Sequence, residues 1–532
     1  MAKAVGGGSS GAAPFKILAS DIERPLTYEE VNRGWDNLEE ERSYWVPAAD
    51  IEGTIPADLH GTLFRNGPGV NEIYGTILKH PIDGDGMVVA VTFLNGQVHL
   101  KMAFVASKHR LEEIKQRRYV YDGQMGTRNR SSLYGSLATL GTFLTTGGLP
   151  KYAYRNPSNT NVFYWGGKLL SVYETGLPHS LDAHTLQTLG PDDLGGALTM
   201  GVFAAHFRLD IRRMRLVCIA LRPGLRRAAT LDIMEFDWSW NVVQRKRVSV
   251  DGLNYAHDFL LLPDYYVFHM TPFVKISYSQ ALLIMAGLTS PGETMRYYPD
   301  LPSRFVFIPR PEGKCEERDI VQVDTEPFHI YHFGTSEQHD IDTVEFTAVC
   351  LDTKFNMEFG CKYWLSNAHV SPGVVKHFMV DLKSGVCKAK KADRASVEFP
   401  TTHPYRHGHN GCRFSYLMAS DREGHNMPYR DVVKFDIRQQ LRQVWRSHGC
   451  IGEPVFVPRR GYEGCESGDE DDGYVLVQLY APLQHRTEFI VLDAKHLDRG
   501  PLARVKLLHH IPYGFHGTFA PHVFLPQARS SL

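Results

Sequence analysis

Histidine is the residue type with the most chemical potential in this chain. There are 25 of them, and a neutral imidazole serves both as a metal ligand and as a proton carrier near neutral pH. The densest run, THPYRHGHN at 402–410, holds His403, His407 and His409. It sits among Arg, Gly and Asn in an apparent turn and reads as a loop rather than a metal tract. Better candidates stand at the ends of strand-like runs: His206 in VFAAHFRLD, His257 in LNYAHDFLLL, His332 in PFHIYHFGTSE and His516 in YGFHGTF. Glycines close to His516 let the backbone there pack tightly. Spacing alone does not join these four. The eight cysteines, at 218, 315, 350, 361, 387, 412, 450 and 465, include no C-x-x-C pair. They read as reduced thiols of an intracellular protein.

Short apolar, β-branched and aromatic runs broken by Gly, Pro and Asp would carry these side chains. KLLSVYE (168–174), DYYVFHM (264–270), KHFMVDL (376–382), YVLVQLY (474–480) and EFIVLDA (488–494) have the length and composition of strands. Helical periodicity is clearest in TYEEVNRGWDNLEEERSYW (27–45) and SKHRLEEIKQRR (107–118). An apolar residue, an Asp and a turn recur at LDAHTL (181–186), FDWSWN (236–241), VDLKSG (380–385), FDIRQQ (435–440) and LDAKHL (492–497), with aspartates 55, 144, 55 and 57 residues apart. A strand ending in a tight turn at such spacing predicts the blades of a β-propeller. At four short strands per blade, 532 residues fill roughly seven blades. No WD or kelch signature is present. Two apolar, charge-poor segments interrupt the pattern at 131–152 and 278–291. They suit a surface that dips into a membrane or the lining of a tunnel for an apolar substrate.

The charge balance excludes one class of partner. With 58 basic against 59 acidic residues, the net charge is -1, so no field draws in nucleic acid. No G-x-G-x-x-G follows a strand and no P-loop is present, so no nucleotide is implied. No run of 18 apolar residues predicts a spanning helix. Residues 1–15 are rich in small residues, lack the apolar core of a secretory signal, and read as a disordered leader.

The motifs, taken in order, are similar to those of the carotenoid cleavage oxygenases. FRNGPG (64–69), HPIDGDGMV (80–88, with Ile82 where the family has Phe) and NPSNTNVFYWGGKLLSVYETGLPHSLD (156–182) come first. HDF (257–259), EFP (398–400), GEPVFVPR (452–459), EDDGY (470–474) and FHGTF (515–519) follow in family order. This resemblance implies an all-β, seven-bladed propeller over 16–532 as a single domain, capped by loops and short helices. It implies iron(II) on the axis, held by His206, His257, His332 and His516, with Glu174, Glu398 and Glu470 as the carboxylates behind them. Neutral imidazoles suit Fe(II) among other metals. A carboxylate on the far ring nitrogen fixes the tautomer and strengthens the ligand. The third ligand departs from the family pattern His-x-x-Asn-Ala-x-Glu. This chain reads HFGTSE, and His332 is taken over His329 and His339 for its distance from Pro327.

A dioxygenase that splits a C=C bond of a carotenoid or apocarotenoid into two carbonyl fragments is therefore expected. The iron centre itself would be catalytic, with no separate acid or base and no further cofactor. The partners would be a lipophilic polyene, O2 and a membrane surface, and the location cytoplasmic or plastid. The resemblance also covers stilbene-cleaving dioxygenases, which use a Tyr and Lys pair on a phenol, and a retinoid isomerohydrolase branch that nothing here specifically supports. A propeller scaffold that has lost its metal would lack at least one ligand histidine, whereas all four are in place.

Overall fold

The computed structural model describes residues 19–526 apart from 130–153, 223–227, 254, 273–276, 286–287, 296, 352–371, 394–395, 410, 421, 423–426 and 460–468. The chain forms seven antiparallel sheets of four to six strands, plus one two-stranded ribbon. They are arranged as the seven blades of a β-propeller. Numbered in chain order, the blades begin at Asn161 (blade 1), Phe207 (2), Leu260 (3), His329 (4), Val397 (5) and Cys450 (6), and the closing blade holds Gly61–Pro68 (7); blade 2 shows the pattern. Phe207–Asp210 lies innermost, and Arg215–Arg222, Ala228–Phe236 and Val242–Asp251 follow outward in chain order.

The continuous apolar runs follow from this architecture. A blade is covered on both faces by its neighbours, so both alternating sets of side chains are buried. In YVLVQLY, Tyr474 and Leu476 pack toward the blade that holds Val89 and Val91, while Val475, Val477 and Leu479 pack toward the blade that holds Met418 and Val432. Seven apolar clusters, one between each pair of adjacent blades, make up the core of the ring. Outermost strands have one covered face. Val242–Asp251 accordingly alternates between exposed and half-buried, and Val386–Lys391 is mostly exposed and rich in lysine, which blunts edge-to-edge pairing.

The repeated aspartates mark the turns between the third and fourth strands of five blades. Asp182, Asp237, Asp381, Asp436 and Asp493 each accept a backbone N–H two to four residues ahead, the turn chemistry for which Asp is selected. Asp237 accepts from the Ser239 and Asn241 amides and from the Asn241 side chain at 2.8–2.9 Å. We expect Asp237→Ala to cost about 1–2 kcal/mol, read as a lower urea midpoint with an unchanged slope.

The ring is closed twice by strands from opposite ends of the chain. Gly61–Pro68 pairs with Gly517–Ala520, setting Arg65 opposite Gly517, and Ile51–Gly53 pairs with Pro501–Lys506. This closure corrects the helix expected over 27–45. Only Tyr28–Asn32 is α-helical, with a Thr27/Glu30 capping box, and Arg33–Trp35 is one 3-10 turn. Arg42–Trp45 is the outer strand of the closing blade, paired with Gln97–Phe104. Sheet pairing there overrides the local periodicity. The other helix forms over Lys108–Gln116 behind the Ser107 N-cap. The 278–291 segment holds a helix at Tyr278–Met285, and 131–152 lies outside the described residues.

Candidate metal centre

Four innermost strands deliver one histidine each to the propeller axis. His206 precedes Phe207–Asp210, His257 precedes Leu260–Leu261, His332 lies within His329–Gln338, and His516 precedes Gly517–Ala520. All four side chains are buried, and their ligand atoms lie within 4.8 Å of one another. The Nε2 atoms of His206 and His257 are 3.1 Å apart, those of His257 and His332 3.1 Å, and those of His332 and His516 3.2 Å.

His332 reaches the axis through an irregularity that sequence reading does not resolve. The register of its strand against Thr343–Leu351 shifts between Ile330 and Phe333. Such a bulge re-aims a side chain that regular alternation would send elsewhere. His329, the nearby alternative, bonds Thr271 Oγ1 at 2.7 Å, and His339 pairs with Glu345 on the surface. A second irregularity, with Phe399 at φ 52°, follows Glu398 and seats the Phe399 ring against His332 and His516.

Carboxylates hold the far nitrogens of three of the rings. Nδ1 of His257 contacts Glu174, that of His332 lies 2.7 Å from Glu398, and that of His516 lies 2.8 Å from Glu453. Glu453 corrects the expectation at Glu470. Glu470 instead accepts the backbone amides of Arg413 and Phe414 at 2.8–3.0 Å, and it faces Arg406. It ties down a strand start in blade 5 and reaches none of the four histidines. Glu453 belongs to GEPVFVPR, a motif quoted above, between the short strands Cys450–Ile451 and Val455–Pro458. Its second oxygen accepts from Arg65 at 2.6 Å and from the Gly517 amide at 3.0 Å, which gives the arginine of FRNGPG a purpose.

Charge and burial act on these groups in opposite senses. Burial works against ionised Glu174 and Glu453, but the facing histidines, with Arg65 beside Glu453, outweigh it and hold both below the usual carboxylate range. Burial keeps His516 neutral down to about 4, and burial together with the neighbouring rings keeps His206 neutral well below its usual value. Burial also opposes protonation of His332, yet the Glu398 carboxylate raises its pKa overall. Glu470, away from any imidazole, is raised by burial.

The donor set fits a divalent first-row metal ion. Three imidazoles that donate Nδ1–H to carboxylates must turn Nε2 lone pairs toward the same point. Converging lone pairs at 3.1–3.2 Å repel unless a cation lies between them.

The centre has two dissimilar sides. On one, the Tyr255 ring stacks along His257 and its hydroxyl donates to Glu174 at 3.3 Å. Tyr331 packs edge-on to His257, and Met125, Leu351, Met295 and Tyr297 extend this apolar patch. Another side opens on a cavity lined by Phe207, Phe333, Phe399 and Phe456 and by polar Arg208 and Asp258. The 402–409 loop borders it: Thr402, Tyr405 and His407 are in its wall, and His403 lies against Phe456. None of these loop histidines joins the axial four.

Comparison with known proteins agrees with this geometry. The family described as retinal pigment epithelial membrane protein matches residues 35–521. Apocarotenoid-15,15'-oxygenase of Synechocystis is 31% identical over 513 residues, covering 94% of this chain and 98% of its own length. The chloroplastic carotenoid cleavage dioxygenase 7 of Oryza sativa subsp. japonica is 26% identical, covering 89% of this chain and 88% of its own. The crystal structure of a cobalt-substituted Synechocystis apocarotenoid oxygenase aligns with a TM-score of 0.81 at 31% identity, over 92% of this chain and 98% of that one. Axial histidines, carboxylate partners and a ring closed from both ends thus occur in a chain that belongs to the retinal pigment epithelial membrane protein, or carotenoid cleavage oxygenase, family.

Proposed function

We propose that this chain binds iron(II) at His206, His257, His332 and His516 and uses O2 to split a C=C bond of a carotenoid or apocarotenoid into two carbonyl fragments. The observation that carries this reading is the convergence of four buried imidazoles, three of them backed by carboxylates. A neutral-ligand site of this kind leaves the full positive charge on the metal, and imidazole donors suit iron. Bound there, iron(II) supplies the redox chemistry that lets dioxygen react with an alkene. One alkene and one O2 balance as two carbonyls, so no external reductant is required.

The protein's own share is orientation and exclusion of water. Glu174, Glu398 and Glu453 lock the tautomer and ring plane of three ligands. Tyr255 and Tyr331 wall the apolar side, where a polyene would lie across the centre. Exposed Leu283 in the helix Tyr278–Met285 and exposed Leu288 just beyond it support peripheral docking on the membrane from which such a substrate is drawn. Among the described residues no helix is long and apolar enough to cross a membrane. We place the enzyme inside the cell, consistent with Cys218, Cys315 and Cys412, which are buried as free thiols. A phenol-cleaving specificity has less support. The resveratrol cleavage oxygenase of Chaetomium globosum is 24% identical to this chain, against 31% for the Synechocystis apocarotenoid-15,15'-oxygenase.

Incubation of the iron-loaded protein with a C40 carotenoid, an apocarotenal and resveratrol, with product masses read out, tests the substrate class. Two carbonyl products from a carotenoid or apocarotenal are expected. Cleavage of resveratrol alone would overturn the assignment.

A further inference from the structure

His206 is the ligand without a carboxylate at hydrogen-bonding distance. The nearest is Asp258, whose Oδ1 lies 3.9 Å from His206 Nδ1. Asp258 is buried, 5% exposed, and its two oxygens are committed elsewhere. Oδ1 accepts from Arg208 Nη2 at 2.5 Å and from the Phe259 amide at 2.8 Å, while Oδ2 accepts the Phe333 amide at 3.0 Å. Asp258 directly follows His257, Arg208 stands two residues after His206, and Phe333 directly follows His332. Arg208 is itself pinned by a 3.1 Å bond to the Phe207 carbonyl.

We propose that Asp258 is a positioning residue that ties together the strand starts bearing three of the four ligands, in blades 2, 3 and 4. The proposal rests on reading the axial histidines as a metal centre. The bulge at Ile330–Phe333 turns His332 toward the axis and takes the Phe333 amide to Asp258, and a buried amide must find an acceptor. Asp258 therefore stabilises the distortion that the third ligand needs. Through Arg208 it anchors the start of the His206 strand, so this histidine is located by its backbone and by the field of a nearby carboxylate. The other three rings are each gripped at Nδ1. Glu453 plays the matching part across the ring, linking His516, Gly517 and Arg65. Between them the two carboxylates secure the main chain at all four ligand sites.

Substitution Asp258→Asn keeps the shape but leaves one oxygen for three donors and removes the charge. The test is titration of the metal-free full chain with Co(II), reading affinity and the visible ligand-field spectrum, for wild type, Asp258→Asn, Arg208→Met and Asp232→Asn. Asp232 is an equally buried aspartate paired with Arg245 and Arg247 on blade 2, away from the axis, and controls for general stability loss. We expect wild type and Asp232→Asn to bind alike. Asp258→Asn should bind roughly 10–100-fold more weakly, as on losing an outer partner of a ligand, with an altered spectrum. Arg208→Met should weaken binding less and shift the spectrum in the same sense. Should Asp258→Asn not fold, Arg208→Met decides. Wild-type affinity and spectrum in whichever of these variants folds would overturn the proposal, as would equal losses in Asp258→Asn and Asp232→Asn. Failure of wild type to bind Co(II) at all would instead remove the metal centre on which it rests.

Discussion

Substitution of His332 by Ala is expected to abolish iron binding and all alkene cleavage, while His329→Ala keeps a full complement of metal. The two residues lie three positions apart on one strand, and in the sequence only the distance from Pro327 favours His332. Their surroundings separate them. His332 Nε2 stands 3.1 Å from His257 Nε2 and 3.2 Å from His516 Nε2, and its Nδ1 is held by Glu398 at 2.7 Å. His329 points to Thr271 at 2.7 Å. Losing a ligand also leaves Glu398 buried without its imidazole, at 7% exposure. The loss of affinity should therefore exceed the roughly 10–100-fold typical of losing an outer partner. Metal analysis of both variants after identical loading gives the comparison. Iron retained by His332→Ala would show that the third ligand lies elsewhere.

The second large effect separates Glu453 from Glu470. Glu453→Gln removes the charge that His516 and Arg65 share. Arg65 is buried, 1% exposed, with its guanidinium otherwise bonded to the Phe515 carbonyl. A buried ion pair broken from one side typically costs about 3–5 kcal/mol, and the His516 ring loses its anchor at Nδ1. We expect iron affinity to fall roughly 10–100-fold and the unfolding midpoint to drop together. Glu470→Gln should leave iron affinity at the wild-type value, because its contacts are the Arg413 and Phe414 amides. Isothermal titration of the two metal-free variants with Fe(II) under anaerobic conditions distinguishes them. Weakened metal binding in Glu470→Gln alone would reverse the assignment made from the geometry.

What could be read in advance depended on how local its cause was. The turns at Asp182, Asp237, Asp381, Asp436 and Asp493 are local, since each aspartate bonds amides within four residues. They therefore appear in the sequence as a repeat and lead to the propeller. The apolar runs were legible as strands for the same reason, with both faces of a blade buried. Residues 27–45 misled because the acidic, periodic stretch is decided by a distant partner: Arg42–Trp45 pairs with Gln97–Phe104. The histidines were individually visible but joined only by resemblance, since 310 positions separate His206 from His516. Glu453 lies in the motif GEPVFVPR, yet nothing local to it marks it as the partner of His516. Both it and Glu470 are acidic residues in motifs of blade 6, and only the closing strand, which brings Arg65 and His516 to Glu453, tells them apart. Asp258 carried a weaker signal still. It reads as one letter of HDF, and its role lies in one amide and one guanidinium delivered by two other blades.

Iron held by the four axial histidines underlies the whole of the proposed activity. Elemental analysis of the purified full-length chain, loaded anaerobically with Fe(II) and freed of excess metal, tests it most directly. We expect one iron per chain in the wild type, none in His332→Ala, and carbonyl products from a carotenoid or apocarotenal only in the loaded wild type with O2 present. A wild-type chain that retains no iron, or that cleaves its substrate equally well without it, would contradict the account.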